Sequence, residues 1–454
     1  MRKPRSFPER IGVLSFAVLA AAGVGVVTSS GPASAQTRSA QGLPYAMQPR
    51  VEQISNRGFN AVKCFSATSC DAVGGDSFGI GHPLALHGNP ATWGPAQVRT
   101  TNLPPAYGTH YTRGYLNALS CNSAIRCVAV GSDGNEQPLV MLGNPANWTA
   151  ANARQITLPA AFKTATQRAY GDLLGISCFR ALTQCTAVGW DGKGQPLELR
   201  GNPATWTAAN ARQVTLTGAF QGGQFDDISC VSYWSCVAVG KDGTPLPLTI
   251  YGNPGIAGAG TVWAPSAEES ALPAGFGGRA ELSGVSCPRS ISFCVAVGNS
   301  GGGVDLPMSM VGNPAHAAWT NGADAFQVSD PGAGVTSGSF WSEVDCTTTT
   351  YCVAVGQEVG LDGNGDAFSD QGNPAQAAWN STGADTTQIT LLGGWAGDSS
   401  AAYGDDCLGL LAAPSTTCVT VGDAPDPSLA AAPLTDYGIP GIGAWWNGTH
   451  ARHP

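Results

Sequence analysis

Short apolar runs separated by Gly-, Asn- and Pro-rich turns recur along most of this chain, always in the same order. A run such as Leu119-Ser120-Cys121 leads into a cysteine. A few residues later a second cysteine opens a β-rich run, Cys127-Val128-Ala129-Val130-Gly131. A polar turn follows, Ser132-Asp133-Gly134, then a third run, Pro138-Leu139-Val140-Met141-Leu142, which stops at Gly143-Asn144-Pro145. Trp148 comes next, and a last run from Arg154 to Leu158 ends the unit. Runs this short, bounded by turn formers, predict strands, four to the unit. The same words return as Ile176-Ser177-Cys178, Ile228-Ser229-Cys230 and Val285-Ser286-Cys287, and as Cys236–Gly240, Cys294–Gly298 and Cys352–Gly356.

The 14 cysteines fall into seven local pairs: Cys64/Cys70, Cys121/Cys127, Cys178/Cys185, Cys230/Cys236, Cys287/Cys294, Cys346/Cys352 and Cys407/Cys418. Each pair reads as the two ends of a tight loop between the unit's first two strands. The first members are 57, 57, 52, 57, 59 and 61 residues apart. A period of that size marks repeated supersecondary units, here starting near residues 59, 116, 173, 225, 282, 341 and 402. Seven four-stranded antiparallel units predict an all-β, seven-bladed β-propeller over 47–454, with one disulfide per blade. Unit seven reaches Trp446 and runs out with its fourth strand short or missing, while an unassigned segment, Met47–Ile54, precedes unit one. The expectation is that this N-terminal strand completes the seventh blade. An open or six-bladed ring with a frayed end is the alternative. Zinc on the cysteine pairs is disfavoured, because the spacings are too wide for paired zinc ligands and no histidine recurs with them.

The run Leu116-Asn117-Ala118-Leu119-Ser120-Cys121 with Cys127-Val128-Ala129-Val130-Gly131 resembles the repeat of photosystem II stability/assembly factor-like propellers, of the wider BNR/Asp-box group. The first cysteine stands where that family commonly has an aromatic, the second where it has a glycine, and Gly-Asn-Pro…Trp replaces its Asp-Gly-Gly…Trp. The resemblance covers all seven units and implies a propeller, here as a secreted bacterial, disulfide-containing variant. It implies no single activity, since the family spans assembly factors, binding proteins and relatives of glycosidases.

The N-terminus changes the picture. Arg2, Lys3, Arg5 and Arg10 precede the apolar run Ile11–Val27, and Pro32-Ala33-Ser34-Ala35 is a small-residue cleavage pattern. That is the layout of a signal peptide over 1–35, followed by a flexible mature N-terminus over 36–46. A membrane anchor is the alternative, but the run is short and Ala/Gly-rich. Export suits an even number of cysteines paired as disulfides. Cleavage removes four basic residues and one acidic residue, leaving 18 Lys+Arg against 30 Asp+Glu and a net charge of −12. Such a surface repels nucleic acid and anionic lipid. The expected partner is an extracellular glycan or a secreted or cell-surface protein, with no nucleic acid, no membrane insertion after cleavage, and a monomeric state.

Candidate chemistry is sparse. There is no Gly-x-Ser-x-Gly, His-Glu-x-x-His or phosphate-cradling loop, and the six histidines show no ligand spacing. The recurring tryptophans 93, 148, 206, 263, 319, 379 and 446 read as packing between neighbouring blades. Variable segments between blades pair aromatics with carboxylates, and Tyr111, Tyr115, Tyr170, Asp226, Asp227, Trp341, Glu343, Trp395 and Tyr403 are the candidate binding residues. Rings stack on sugar faces and carboxylates accept hydroxyl hydrogen bonds. Two carboxylates at the right separation would make a glycoside hydrolase or lyase the alternative to a non-catalytic binder. Structural turn-capping is the competing role for any one of these aspartates. No catalytic residue is assigned. Asp362, Asn364, Asp366 and Asp370 alternate with small residues in a pattern suited to calcium, although the glutamate of a complete EF-hand loop is missing. No other cofactor is expected.

Overall fold

The computed structural model describes residues 58–447 apart from inter-strand segments, among them 77–80, 109–113, 164–168, 255–266, 328–337, 360–364, 389–400 and 409–416. Residues 1–57, on which the expected signal peptide and the expected Met47–Ile54 strand fall, lie outside the described residues. The described residues form an all-β propeller of seven four-stranded antiparallel sheets, each made from consecutive strands. The first strands are Gly58–Ser66, Gly114–Ser123, Gly171–Phe179, Gly223–Ser232, Ala280–Ser290, Phe340–Thr348 and Ala401–Leu408. Each packs against the first strand of the next sheet, and Ala401–Leu408 returns to Gly58–Ser66.

All seven expected pairs are disulfides: Cys64–Cys70, Cys121–Cys127, Cys178–Cys185, Cys230–Cys236, Cys287–Cys294, Cys346–Cys352 and Cys407–Cys418. They stand as expected on either side of the tight turn between the first two strands, the second cysteine near the start of the second strand. The cysteines lie within the first and second strands, and in every sheet but the fifth they are directly opposite one another in the register, as Cys64 faces Cys70, Cys178 faces Cys185 and Cys407 faces Cys418. The second member of each pair is core: Cys70, Cys185, Cys236, Cys294, Cys352 and Cys418 are fully buried, and Cys127 almost so. Cys70 packs with Leu84 and Trp93, Cys185 with Leu199 and Trp206, and Cys418 with Val353 and Val355. The physical reason is that a half-cystine is a small apolar group, which the alternation of the second strand turns inward together with its valines. In six sheets the paired cysteines stand six or seven residues apart. A staple of that loop length contributes about 2 kcal/mol in the chain-entropy model.

The other repeated words also have local causes. In Gly-Asn-Pro the glycine takes positive φ (108° at Gly143, 119° at Gly201), a region costly for residues with a Cβ. The asparagine side chain then caps the following turn: Ala146 N–H donates to Asn144 Oδ1 at 3.0 Å, and the proline opens a 3₁₀ turn. The glycine that ends each Val-Ala-Val-Gly run has a different cause. Each first strand carries a β-bulge four residues before its cysteine, at Asn60, Asn117, Leu174, Asp226, Ser283, Ser342 and Tyr403. The bulge presses a carbonyl onto the second strand: a Cβ on Gly240 would sit 2.1 Å from the Gln224 oxygen, and one on Gly131 2.1 Å from that of Tyr115.

The core is divided among the junctions. Each apolar cluster joins one sheet to its neighbour, as Val128, Val130 and Val140 meet Leu173, Leu199 and Trp206, and Val419 and Val421 meet Phe59, Leu86 and Trp93. Trp93, Trp148, Trp206, Trp319 and Trp379 are all buried in such clusters, which agrees with the packing role. Trp263 lies outside the described residues, as does the side chain of Trp446.

The fold expectation needs correcting as well. Seven like blades, the last completed by the N-terminal strand, are not what forms. The blades on the common plan number six. The seventh sheet is built differently: its disulfide, Cys407–Cys418, spans 11 residues, its third strand ends at Gly438-Ile439 with no Gly-Asn-Pro, and its fourth strand is its own, Ala444–Asn447, paired to Ala430–Ile439. The place reserved for Met47–Ile54 is therefore filled. A strand of four residues is too short to stand out in the sequence, and it is held by its pairing with Asp436–Ile439.

Candidate functional site

The seven first strands converge on a central channel enclosing about 200 Å³. The side chain just before the first cysteine ties each sheet to the next. Cys178 N–H donates to Ser120 Oγ at 3.2 Å, Cys230 to Ser177 at 3.2 Å, Cys287 to Ser229 at 3.1 Å and Cys346 to Ser286 at 3.0 Å. In the last two sheets aspartate replaces serine: Cys407 N–H donates to Asp345 Oδ2 at 2.8 Å, and Cys64 N–H to Asp406 Oδ2 at 2.6 Å. The second of these bonds closes the ring from sheet seven to sheet one. Lys63 occupies the same column in sheet one and cannot accept. Its ammonium instead pairs with Asp406, while Asn60 Nδ2 bridges to the Leu116 carbonyl at 2.8 Å.

Six carboxylates line the channel, Asp226, Asp227, Glu343, Asp345, Asp405 and Asp406, and Lys63 is the one basic residue among the lining. Burial pushes most of them up, Asp226 to about 7, Asp227 and Asp345 to about 6, and Glu343 and Asp405 well above the usual carboxylate range, with repulsion from neighbouring carboxylates adding to it at Glu343, Asp345 and Asp405. Glu343 feels Asp227, Asp405 and Asp345, and Asp405 feels Asp345 and Asp406, offset by Lys63. For Lys63, burial favours the neutral form, but the charges of Asp406, Asp345 and Asp405 outweigh it and hold the ammonium protonated.

Three of the residues expected to bind, Asp226, Asp227 and Glu343, thus meet in the channel. They lie on first strands and not on outer inter-blade loops, which corrects their expected place. Asp227 Oδ2 accepts from Val285 N–H at 2.9 Å, and Asp226 Oδ1 from Gln224 at 2.5 Å. Asp345, Asp406 and Lys63 were not among the expected residues. Their signal was the column before the cysteine, where serine gives way to charge in three units.

The other expected residues scatter. Trp341 is fully buried, in the column held elsewhere by Phe59, Leu116, Leu173 and Phe225, and stacks on Phe368 at 4.2 Å; it is a core residue. Tyr115 donates to Asp172 Oδ2 at 2.6 Å across a junction, and burial raises Asp172 to about 7. Tyr170 packs edge-on against Trp190 at 5.6 Å. Tyr403 is a bulge residue bonded to Asp423. Tyr111 and Trp395 lie outside the described residues, as do Asp362 and Asn364 and the side chain of Asp366. Asp366 and Asp370 belong to the strand Gly365–Gly372, and Asp370 is buried with Oδ1 accepting from Gln371 N–H at 2.8 Å, so the expected calcium loop is in part sheet.

Carboxylates of the outer turns cap backbone. Asp133 Oδ1 accepts from Asn135 and Gln137 N–H at 2.9 Å each, and Asp191 and Asp242 repeat the arrangement. Among the described residues the one grouping with metal-ligand proximity is Asp71 with Cys121 and Cys127, whose sulfurs are spent in a disulfide. Among the described residues, too, no helix is long and apolar enough to cross a membrane.

No protein-family model matches the chain, and no curated protein sequence does. Among solved structures it is similar to YCF48 from Cyanidioschyzon merolae, at 9% identity over 84% of this chain and 96% of that one, TM-score 0.47. It is also similar to the Cps50 (Swd1) β-propeller domain of Myceliophteria thermophila (9%, 70% and 96%, TM-score 0.36) and to an engineered GH43 glycoside hydrolase (7%, 88% and 90%, TM-score 0.31). This set mixes an enzyme with a propeller domain and does not separate binding from catalysis.

Proposed function

We propose that the protein is an exported, non-catalytic binding propeller that presents its rim to an extracellular glycan. The observation that carries this reading is where the carboxylates lie. Glycosidic cleavage takes two carboxyl groups flanking a bound sugar chain, about 5–10 Å apart, in a cleft open to sugars on both sides. Here they crowd a channel of about 200 Å³, below the roughly 300–1,000 Å³ of small-molecule sites, and several of them are occupied in tying sheets together.

The rim offers different chemistry. Trp234 is 55% exposed at the tip of the fourth sheet's disulfide hairpin. Tyr233 meets it edge-on at 4.7 Å, and the Arg200 guanidinium lies 3.8 Å over Tyr233 and 4.7 Å from Trp234. Arg200 Nη2 also donates to the Tyr233 carbonyl at 2.9 Å. A pre-ordered aromatic pair backed by arginine is a low-entropy platform for the apolar face of a sugar.

The test is a glycan array and a reducing-sugar assay on purified protein, wild type against Trp234→Ala. Expected are array binding that falls at least tenfold in the variant, unchanged thermal stability, and no reducing-sugar release. Released reducing ends would overturn the non-catalytic reading. A silent array would move the ligand to a protein, and binding indifferent to Trp234→Ala would remove the platform from the site.

A further inference from the structure

The residue that follows the second cysteine is buried in every sheet: Asp71, Val128, Thr186, Val237, Val295, Val353 and Val419. The valines share an apolar cluster with the second cysteine of the next sheet, as Val128 does with Cys185, Val295 with Cys352 and Val419 with Cys70. The first sheet departs from that plan. Asp71 is fully buried, and its Oδ2 lies 3.5 Å from Sγ of Cys127, in the Cys121–Cys127 disulfide of the second sheet. Its Oδ1 is 2.6 Å from Nδ1 of His87, which stands opposite it on the third strand with a side chain 31% exposed.

Packing accounts for the valines and not for the aspartate. A carboxylate oxygen and a disulfide sulfur are both electron-rich, and neither brings a hydrogen to their contact unless Asp71 is protonated. Burial favours that form and raises Asp71 to about 6, against the hydrogen bond and charge of His87. The two sulfurs also differ in access. Cys127 is 1% exposed, whereas Cys121 is half-buried. An incoming thiolate therefore reaches Cys121, and Cys127 is the sulfur that leaves. Asp71 stands against that leaving sulfur, where a proton donor speeds the step.

We propose that Cys121–Cys127 is a thiol-exchange site for a small dithiol, with Asp71 as the acid that protonates the leaving Cys127 sulfur and His87 as the residue that positions Asp71. One thiolate of the dithiol attacks Cys121 Sγ. The S–S bond breaks, its electron pair goes to Cys127 Sγ, and that sulfur takes the proton of Asp71 Oδ2. A free cysteine thiol ionises near about 8.5, so the proton moves to the stronger base. The second thiolate of the dithiol attacks the mixed disulfide, releases Cys121 as a thiolate, and leaves with its two sulfurs joined. Solvent takes one proton from each thiol of the dithiol and returns one to Asp71 and one to Cys121. The dithiol is oxidised by two electrons, and the protein holds them as two thiols. The site stands independently of what the rim binds.

The experiment uses the folded full chain at pH 6, with dithiothreitol as the dithiol. Samples are quenched with iodoacetamide at intervals, and the labelling of each cysteine pair is followed by peptide mass spectrometry. Cys178–Cys185 and Cys230–Cys236 are internal controls, because their first cysteines are also half-buried and no carboxylate replaces the residue beside their second. Expected is opening of Cys121–Cys127 at least tenfold faster than either control. Asp71→Asn, which keeps the shape and removes the acidic proton, should slow that pair at least tenfold and leave the other six unchanged. Asp71→Val, which restores the residue of five other sheets, reads the same question if the amide variant fails to fold. His87→Ala should slow the same pair, and His87→Gln, which keeps an N–H donor for Asp71, should recover most of the rate. Opening of Cys121–Cys127 no faster than the controls overturns the proposal. So does an Asp71→Asn rate equal to or above wild type, which would make Asp71 a shield for the disulfide. Equal rates in His87→Ala and wild type would overturn the positioning role.

Discussion

Asp406 holds the seam of the ring, and removing it should open that junction before any other. Its Oδ2 accepts from Cys64 N–H at 2.6 Å and its Oδ1 pairs with Lys63; Asp406 is 3% exposed and Cys64 4%. Asp406→Ala strips the acceptor from a buried N–H, which costs about 1–3 kcal/mol, toward the upper end because the acceptor is charged. Asp406→Ser restores the residue that performs the same task at Ser120, Ser177, Ser229 and Ser286. It loses only the ion pair with Lys63, whose side chain is 40% exposed; a pair of that exposure is worth about 1 kcal/mol or less. For a chain of about 400 residues, each kcal/mol moves the melting temperature by roughly 1 °C, so alanine should lower it by about 2–3 °C and serine by about 1 °C or less. The local readout is sharper. Hydrogen exchange of the Cys64 amide should accelerate in the alanine variant, roughly 30-fold for about 2 kcal/mol of lost protection, and stay near wild type in the serine variant. Equal behaviour of the two variants, or unchanged exchange at Cys64, would refute the seam argument.

Three further outcomes follow from other features. Asp172 and Asp226 titrate near 7 and Asp227 and Asp345 near 6 in the folded protein, all above the ordinary aspartate value of 3.8. The native state therefore binds more protons than the unfolded chain between those values, and stability present at low pH is lost as pH rises through about 6–7. Melting in chelator-containing buffer should fall from pH 5 to pH 8, and a flat or rising profile would contradict the burial of these groups. Gly240→Ala places a methyl 2.1 Å from the Gln224 carbonyl, backbone against backbone; it should abolish soluble expression, whereas Gly252→Ala, strained only by its φ of 114° with no atom within 4 Å, should express and melt a few degrees lower. Thiol titration of the purified, unfolded protein should find no reactive cysteine, since all 14 are paired.

Much of the architecture was legible along the chain because its causes are local. A hairpin closed within six or seven residues, a Gly-Asn-Pro turn and an alternating Val-Ala-Val-Gly strand each need only near neighbours, so their repetition announces the unit, the disulfides and the interlocking tryptophans. Where the chemistry sits was not legible in that way. Asp226, Asp227 and Glu343 read as outer-loop residues because polar residues and glycines around each bulge look like turns. Only the register shows that they belong to first strands. The same register sets Cys70, Cys185 and Cys418 opposite their partners, and their burial among neighbouring apolar residues is a tertiary fact. Lys63 and Asp406 stand 343 positions apart, and nothing in either neighbourhood indicates that the seam makes them partners. The seventh sheet's four-residue closing strand was equally hidden, because it is held by its partner strand and not by its own pattern. The amino-acid sequence by itself determined the repeating unit and its staples, which depend on contacts a few residues long. Radial closure alone decided that acidic residues from three distant sheets share one channel, because only a ring makes its first and last strands neighbours.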